Sequence, residues 1–229
     1  MRVCLFDIDG TLVNAGGAGQ AAMENALARA FGVRRPTEGI STAGRTDRAI
    51  IEDLMAFHGL SCDEATWERV REVYLAALPA ELARLDGLTL PGIKDLLEEL
   101  SGRDDVVLGL LTGNLVEGAR RKLKHFDLDG HFDRNGQLFG GFGDRDRDRD
   151  DVARRGRDHV RQELGWWEAD EVWVIGDTPL DVQCARAIGV HVLAVATGMF
   201  TGDEIAASGP DRLLGDLGDT DRVVSILLE

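Results

Sequence analysis

The first residues of the chain place two carboxylates directly after a short apolar run, which limits the folds that the chain can adopt. Val3–Phe6 predicts a buried β-strand, and Asp7, Asp9 and Gly10 follow it. Side chains alternate along a strand, so Asp7 and Asp9 are expected to point the same way. In an open parallel sheet, ligands bind just beyond the carboxyl ends of the strands. The pair therefore predicts half of a site for a hard cation such as Mg²⁺.

Two later apolar runs also end in polar residues. Val106–Leu111 precedes Thr-Gly-Asn at 112–114, and Val172–Ile175 precedes GDTPLD at 176–181. Helical stretches separate these runs, and Val190–Val195 predicts a further strand. Strands that alternate with helices indicate an α/β fold with a doubly wound, Rossmann-like parallel sheet. Because parallel strands end at a common edge, the polar residues are expected to form one site. Its members would be Asp7, Asp9, Thr112, Asn114, Asp177 and Asp181.

The segment between Val13 and Leu88 has no convincing strand pattern and predicts an all-helical insertion. Apolar residues recur at helical spacing in three stretches: Ala21–Phe31, Thr46–His58 and Asp63–Leu85. We therefore expect a helical insertion over residues 15–88 and an α/β core over 1–14 and 89–229. The glycine-rich joint at 14–19 is either a plain linker or a hinge beside the site.

Composition excludes several classes of partner. The formal net charge of −15 disfavours binding to nucleic acid or to an anionic membrane. No run approaches the ~18 apolar residues that a membrane span requires. The three cysteines are scattered and form no CxxC motif, which argues against a disulfide framework or a zinc site. The expectation is a soluble protein of the reducing cytoplasm.

The expected site suits phosphoryl transfer from a monoester. Asp7 would be the nucleophile and would form an aspartyl-phosphate. Asp9 would protonate the leaving oxygen and later deprotonate the attacking water. The Thr112 hydroxyl and the backbone N–H groups of Gly113 and Asn114, at a helix N-terminus, would bind phosphate oxygens.

The same acids predict a site for Mg²⁺, which prefers near-octahedral oxygen ligands and keeps several waters. Asp7, the backbone carbonyl of Asp9, and Asp177 would supply the protein ligands. Asp181 lies one helical turn beyond Asp177 and would hold a metal-bound water. The ion would screen the repulsion between the nucleophile and the incoming phosphate.

These three motifs, in this order, resemble those of the haloacid dehalogenase superfamily. The two-acid form of the first motif is similar to the phosphatase and phosphomutase branch. The helical insertion resembles the first type of cap, found in phosphoglycolate phosphatase-like and β-phosphoglucomutase-like members. The resemblance implies a Mg²⁺-dependent hydrolase of a small phosphorylated metabolite, with Gly10 among the phosphate-binding residues. It also implies that a polar cap loop lies over the substrate, so that Arg45 or Arg48 contacts the leaving group.

One part of the chain departs from the family pattern. The third motif is usually a lysine, but residues 130–166 contain no lysine. Arginine can also place positive charge beside the phosphate and the nucleophile. We select Arg149, because it directly precedes the helix expected to begin near Val152. Its neighbours Arg145, Arg147 and Arg154 remain alternatives.

Two other functions remain open at this stage. A phosphomutase would hold a sugar phosphate in two orientations and resist water. A phospholigand-binding protein with weak or lost turnover would account for the missing lysine.

Overall fold

The computed structural model describes residues 1–33 and 39–229. Residues 34–38, which belong to the predicted cap, lie outside this description. The strands are β1 (Arg2–Phe6), β2 (Val13–Asn14), β3 (Leu88–Thr89), β4 (Val106–Leu111), β5 (Asp133–Arg134), β6 (Gln137–Leu138), β7 (Gly140–Gly141), β8 (Val172–Gly176), β9 (His191–Val195) and β10 (Arg212–Leu214). The helices are α1 (Ala18–Phe31), α2 (Asp47–Phe57), α3 (Glu64–Arg84), α4 (Ile93–Ser101), α5 (Val116–His125), α6 (Arg149–Leu164), α7 (Pro179–Ile188), α8 (Gly202–Ala207) and α9 (Thr220–Leu228).

A six-stranded parallel sheet forms the centre of the α/β fold, in the order β10-β9-β8-β1-β4-β7. Strand β1 lies between β8 and β4, so the three strands that precede the predicted motifs are adjacent. Phe6 pairs with Leu110 on one side and with Ile175 on the other. All three strands therefore end at nearly the same level, and the residues that follow them lie together.

Helices cover both faces of the sheet, as expected for strands that are apolar throughout. Val3 and Leu5 face a core that includes Val152 of α6 and Val182 of α7. Cys4 and Phe6 face the opposite core, which contains residues of α4, α5 and α9. The alternation of side chains along β1 thus places its residues in two separate cores. The predicted doubly wound α/β fold is confirmed.

Helices α1, α2 and α3 form an insert between β2 and β3. Helix α1 packs against α3 within the insert, and α3 also packs against α5 of the core. The chain enters and leaves through a short antiparallel ribbon, in which Val13 pairs with Thr89 and Asn14 pairs with Leu88. None of the helices in residues 1–33 and 39–229 is long and apolar enough to cross a membrane.

Some details differ from the sequence-based expectation. Helix α6 begins at Arg149, one turn before the expected start near Val152. This start lies within residues 144–151, where aspartate and arginine alternate. The Asp148 side chain accepts a hydrogen bond from the backbone N–H of Asp150, and this N-cap allows the helix to start earlier. Helix α8 and strand β10 were not expected, since both are short and have no clear periodicity.

Candidate active site

The structure brings three acids together at the carboxyl edge of the sheet. One carboxylate oxygen from each of Asp7, Asp177 and Asp181 lies within 4.8 Å of the other two. All three side chains are buried. Asp7 directly follows β1, Asp177 directly follows β8, and Asp181 lies in the first turn of α7. The strand order therefore joins residues that are about 170 positions apart in the sequence.

The start of α7 holds Asp181 in place. Thr178 is the N-cap, and Pro179 occupies the first turn, where its missing N–H costs nothing. Asp181 Oδ2 accepts hydrogen bonds from the Thr178 backbone N–H at 3.0 Å and from its hydroxyl at 2.7 Å. This capping box is encoded locally by the Thr-Pro-Leu-Asp sequence. The Asp181 side chain is therefore oriented by the helix to which it belongs.

Two glycines keep space open around Asp177. A Cβ atom at Gly10 or at Gly198 would overlap the Asp177 carboxylate. Gly10 also has a φ of +86°, a backbone angle that residues other than glycine rarely adopt. The Thr11 hydroxyl donates to Asp177 Oδ1 at 3.0 Å and fixes that carboxylate. A cluster of carboxylate oxygens of this kind fits a hard divalent cation.

Asp7, a member of the three-acid cluster, has a buried carboxylate oxygen without a hydrogen-bond donor among the described residues. This atom is Oδ1. Burial raises the pKa of Asp7 to about 7, although the Arg149 guanidinium opposes this shift. Burial, together with Asp181 and Asp7, raises the pKa of Asp177 to about 8. The acids thus repel one another in a dry environment, which a divalent cation would relieve.

Arg149 is the charged side chain of α6 that reaches the acids. It is buried, and its guanidinium contacts the Asp181 carboxylate. Arg149 also donates to the Leu111 carbonyl at 3.2 Å, and its Nη1 lies 3.6 Å from Asp7 Oδ1. Of the alternatives considered from the sequence, Arg147 pairs with Glu52, and Arg154 pairs with a neighbouring acid of α6. Arg149 therefore places positive charge beside the predicted nucleophile.

The Thr112–Asn114 loop forms the other side of the site and reaches Asp9. Thr112 is buried, and Asn114 Nδ2 donates to its hydroxyl at 2.8 Å. The same amide nitrogen donates to Asp9 Oδ2 at 2.9 Å. The Asp9 side chain is 41% exposed and turns towards this loop. Among the described residues, the acids close enough to share a cation are Asp7, Asp177 and Asp181, and Asp9 is not one of them.

Lys122 is a further residue of the site, and the sequence reasoning missed it. Its ammonium donates to Asp9 Oδ2 at 2.5 Å and to Asn114 Oδ1 at 2.6 Å. A signal was present in the sequence, because Lys122 falls on the apolar stripe of α5 beside Ala119 and Leu123. A lysine on a buried helix face requires a buried partner.

The helical insert covers the site and leaves a cavity of about 360 Å³. From the insert, the lining includes Gln20 and Met23 of α1 and the loop at residues 42–45. Arg45 lines the cavity, but its guanidinium pairs with Asp53 at 2.5 Å and donates to the Ser41 carbonyl at 3.0 Å. Arg45 is therefore near the site with its charge already partnered, and its contact with a substrate stays a prediction.

Asp47 joins the insert to the core at the Thr112–Asn114 loop. Its backbone N–H donates to the Gly113 carbonyl at 2.7 Å. Its Oδ2 accepts hydrogen bonds from the Leu115 backbone N–H at 2.9 Å and from the Tyr74 hydroxyl at 3.1 Å. A Cβ atom at Gly113 would overlap the backbone carbonyl of Arg45, so this close approach requires glycine. An acid of the insert thus caps the core helix α5 in the closed arrangement.

The chain belongs to the haloacid dehalogenase-like hydrolase family. The model of that family matches residues 4–186, and a second, HAD-hydrolase-like model matches residues 156–220. The first match contains every residue that forms the acid cluster. The resemblance deduced from the motifs is therefore confirmed, and the chain is an enzyme of the hydrolase class.

Several known proteins are similar to the chain over most of its length. A 5′-nucleotidase from Pseudomonas aeruginosa is 30% identical over 225 residues, which is 93% of this chain and 90% of that protein. Phosphoglycolate phosphatase 1 from the same organism is 27% identical over 228 residues, or 95% of this chain and 78% of that protein. The structure of CbbY from Rhodobacter sphaeroides in complex with phosphate has the same fold, with a TM-score of 0.72, 20% identity and 96% of each chain covered.

Proposed function

We propose that the protein is a Mg²⁺-dependent phosphomonoester hydrolase that acts on a small phosphorylated metabolite through an aspartyl-phosphate. The observation that carries this proposal is the buried Asp7 Oδ1, which accepts no hydrogen bond from the described residues, belongs to the group formed with Asp177 and Asp181, and lies 3.6 Å from Arg149 Nη1. A carboxylate oxygen with no hydrogen bond keeps its lone pairs available for attack. Arg149 supplies one positive charge against three acids, so a divalent cation is needed to neutralise an incoming phosphate. When bound, the cation supplies positive charge against the phosphate oxygens.

Asp7 and Asp9 divide the chemistry between them. The Asp7 oxygen bonds to phosphorus while the bond from phosphorus to the leaving oxygen breaks, and Asp9 gives that oxygen its proton. In the second step Asp9 takes a proton from water, the water oxygen bonds to phosphorus, and the bond to Asp7 breaks. Inorganic phosphate leaves, and both carboxyl groups return to their starting states. The separation of Asp9 from the acid cluster supports this division.

The remaining residues bind the phosphate and hold its charge. Thr112 and the backbone N–H groups of Gly113 and Asn114 lie at the N-terminus of α5, where anions bind favourably. Gly10 lets the chain approach the phosphate closely. Arg149 takes the place of the usual lysine and needs no proton transfer for this purpose. Because Asp181 and Asp7 raise the pKa of Arg149 against the effect of burial, the guanidinium stays charged. This buried cation argues against the binding-protein hypothesis, which depended on the missing lysine.

We propose that the insert acts as the cap, over residues 15–88, with the core at 1–14 and 89–229. In the arrangement seen here it covers the site, which excludes water from the first phosphoryl transfer. The cavity of about 360 Å³ suits a small substrate. The relatives are a 5′-nucleotidase and a phosphoglycolate phosphatase, so nucleoside monophosphates and phosphoglycolate are the first compounds to test.

The test is a measurement of phosphate release from a panel of phosphorylated metabolites, with Mg²⁺ and with a chelator. The panel contains phosphoglycolate, nucleoside monophosphates and hexose phosphates. We expect release that depends on Mg²⁺ from at least one of them and its loss in Asp7→Asn. The matched control is Asp127→Asn. Residues 127–130 repeat the Asp-x-Asp-Gly pattern of residues 7–10. Asp127 is exposed and has a φ of 59°, a conformation that asparagine tolerates.

An active Asp7→Asn variant would contradict the proposed nucleophile. Chelator-resistant turnover would contradict the metal requirement. Conversion of a hexose phosphate to its isomer with little phosphate release would favour the phosphomutase instead.

A further inference from the structure

Lys122 is a buried lysine whose ammonium lies within the candidate site. The residue is 3% exposed, and its Nζ atom donates to the side chains of Asp9 and Asn114. Helix α1 of the insert lies over it, because a Cβ atom at Gly19 would be 3.5 Å from Nζ. An ammonium in such a place loses its hydration and requires partners that compensate for this loss.

The compensation comes from carboxylates on both the core and the insert. Burial by itself lowers the pKa of Lys122, but Asp9 and Asp47 raise it above its ordinary value, so the amine remains an ammonium. Asn114 presents its carbonyl oxygen to Lys122 and its amide nitrogen to Asp9. Asp9, Asn114 and Lys122 therefore form a closed ring of hydrogen bonds, in which each member orients the other two.

Asp9 is the acid of the site that needs such support. Its side chain is 41% exposed, whereas Asp7, Asp177 and Asp181 are buried. Asp177 is held by Thr11, and Asp181 is held by Thr178, through hydrogen bonds at the sheet edge. The hydrogen bonds to Asp9 Oδ2 come from α5 and the loop before it. Without them, the carboxylate can rotate into the cavity or into solvent.

We propose that Lys122 is a positioning residue that, together with Asn114, holds the Asp9 carboxyl group where it exchanges protons with the leaving oxygen and the attacking water. This inference rests on the proposed function. The ammonium itself neither gains nor loses a proton and does not touch the reacting phosphorus. It acts on the reaction through Asp9, so its removal should matter most where proton donation by Asp9 matters most.

The experiment compares two esters of similar shape, phenyl phosphate and 4-nitrophenyl phosphate, in the presence of Mg²⁺. Phenol is a weaker acid than 4-nitrophenol, so its departure depends more on a proton from Asp9. Lys122→Met keeps the length of the side chain and removes the charge. We expect kcat/KM for phenyl phosphate to fall about 10- to 100-fold and kcat/KM for 4-nitrophenyl phosphate to fall much less. Lys124→Met, at an exposed position of the same helix, should change neither value.

A double-mutant cycle separates this role from the alternatives. In an Asp9→Asn background, Lys122→Met should cause little further loss, because the carboxyl group that Lys122 positions is already gone. Equal losses on both esters, or a full additional loss in that background, would overturn the proposal and assign Lys122 to substrate contact or to structure. If the wild type is active but the variants give these contradicting results, only the inference about Lys122 is overturned. A wild type that releases no phosphate from either ester or from the metabolite panel removes the proposed function and this inference with it.

Discussion

The buried Asp47 carboxylate is predicted to make the free energy of unfolding depend on pH, and comparison with Asp47→Asn should measure this dependence. The side chain accepts hydrogen bonds from Leu115 and Tyr74, but burial raises its pKa from 3.8 to about 6. A raised carboxyl pKa means that the folded protein binds the proton more tightly than the unfolded chain does. The resulting contribution to the free energy of unfolding is fully present below pH 3.8 and is lost as the pH rises through 6.

The size of this effect follows from the two pKa values. The interval between 3.8 and about 6 corresponds to about 3 kcal/mol over the whole titration, of which about 1.4 kcal/mol falls between pH 5 and pH 8. Asp47→Asn has nearly the same shape, accepts the Leu115 N–H and does not titrate. The stability of this variant relative to the wild type should therefore increase by about 1.4 kcal/mol from pH 5 to pH 8.

The assay is urea unfolding of both proteins at several pH values, at constant ionic strength and with chelator present. Other groups titrate in both proteins, so only the difference between the two curves reports on Asp47. Asp127→Asn, at an exposed position, supplies the baseline for an aspartate-to-asparagine change. A difference that stays constant with pH, or one that favours the wild type as the pH rises, would refute the reasoning about burial.

The other predictions concern the acid cluster. Gly198→Ala places a Cβ atom that would overlap the Asp177 carboxylate. The variant should lose Mg²⁺ binding in calorimetry, and its phosphate release should fall at least ~100-fold. Unchanged Mg²⁺ affinity would show that the cation is not held beside Asp177. Arg149→Met should lower the free energy of unfolding by about 3–5 kcal/mol, since it leaves Asp181 buried without its cation. Arg149→Lys retains the charge and should cost less than half as much in the same urea assay; equal costs would mean that charge is not the stabilising property.

The order and type of the main elements could be predicted because they depend on short-range patterns. Val106–Leu111 is a strand with the bounds expected from its apolar run. Helices α1, α2 and α3 also form where the helical spacing occurs, with ends that differ from the expected ones by at most three residues. The predicted start of α6 was one turn too late, because alternating aspartate and arginine residues are typical of a solvated loop. Its capping signal at Asp148 was hidden among similar residues.

Most of the candidate site was predictable from motifs next to strand ends, and Arg149 was predicted from its place before the helix expected near Val152. Asp7, Asp177 and Asp181 lie at positions where any parallel sheet of this order would bring them together. Lys122 lies in the second half of a helix with no motif around it, and its partner Asp9 is 113 positions away. Contact of Arg45 or Arg48 with the leaving group stays a prediction, and the local pattern of residues did not show that Arg45 pairs with Asp53.

The sequence alone determined which chemical groups stand at the ends of which strands, because apolar runs, turns and helix caps are local and the hand of a parallel crossover is nearly invariant. The tertiary structure decided which of these groups are paired. The burial of Arg149 against two acids, the attachment of Lys122 to Asp9, and the capping of α5 by Asp47 each join distant segments. Such pairings depend on distances and on the exclusion of water, neither of which is written in the local pattern of residues.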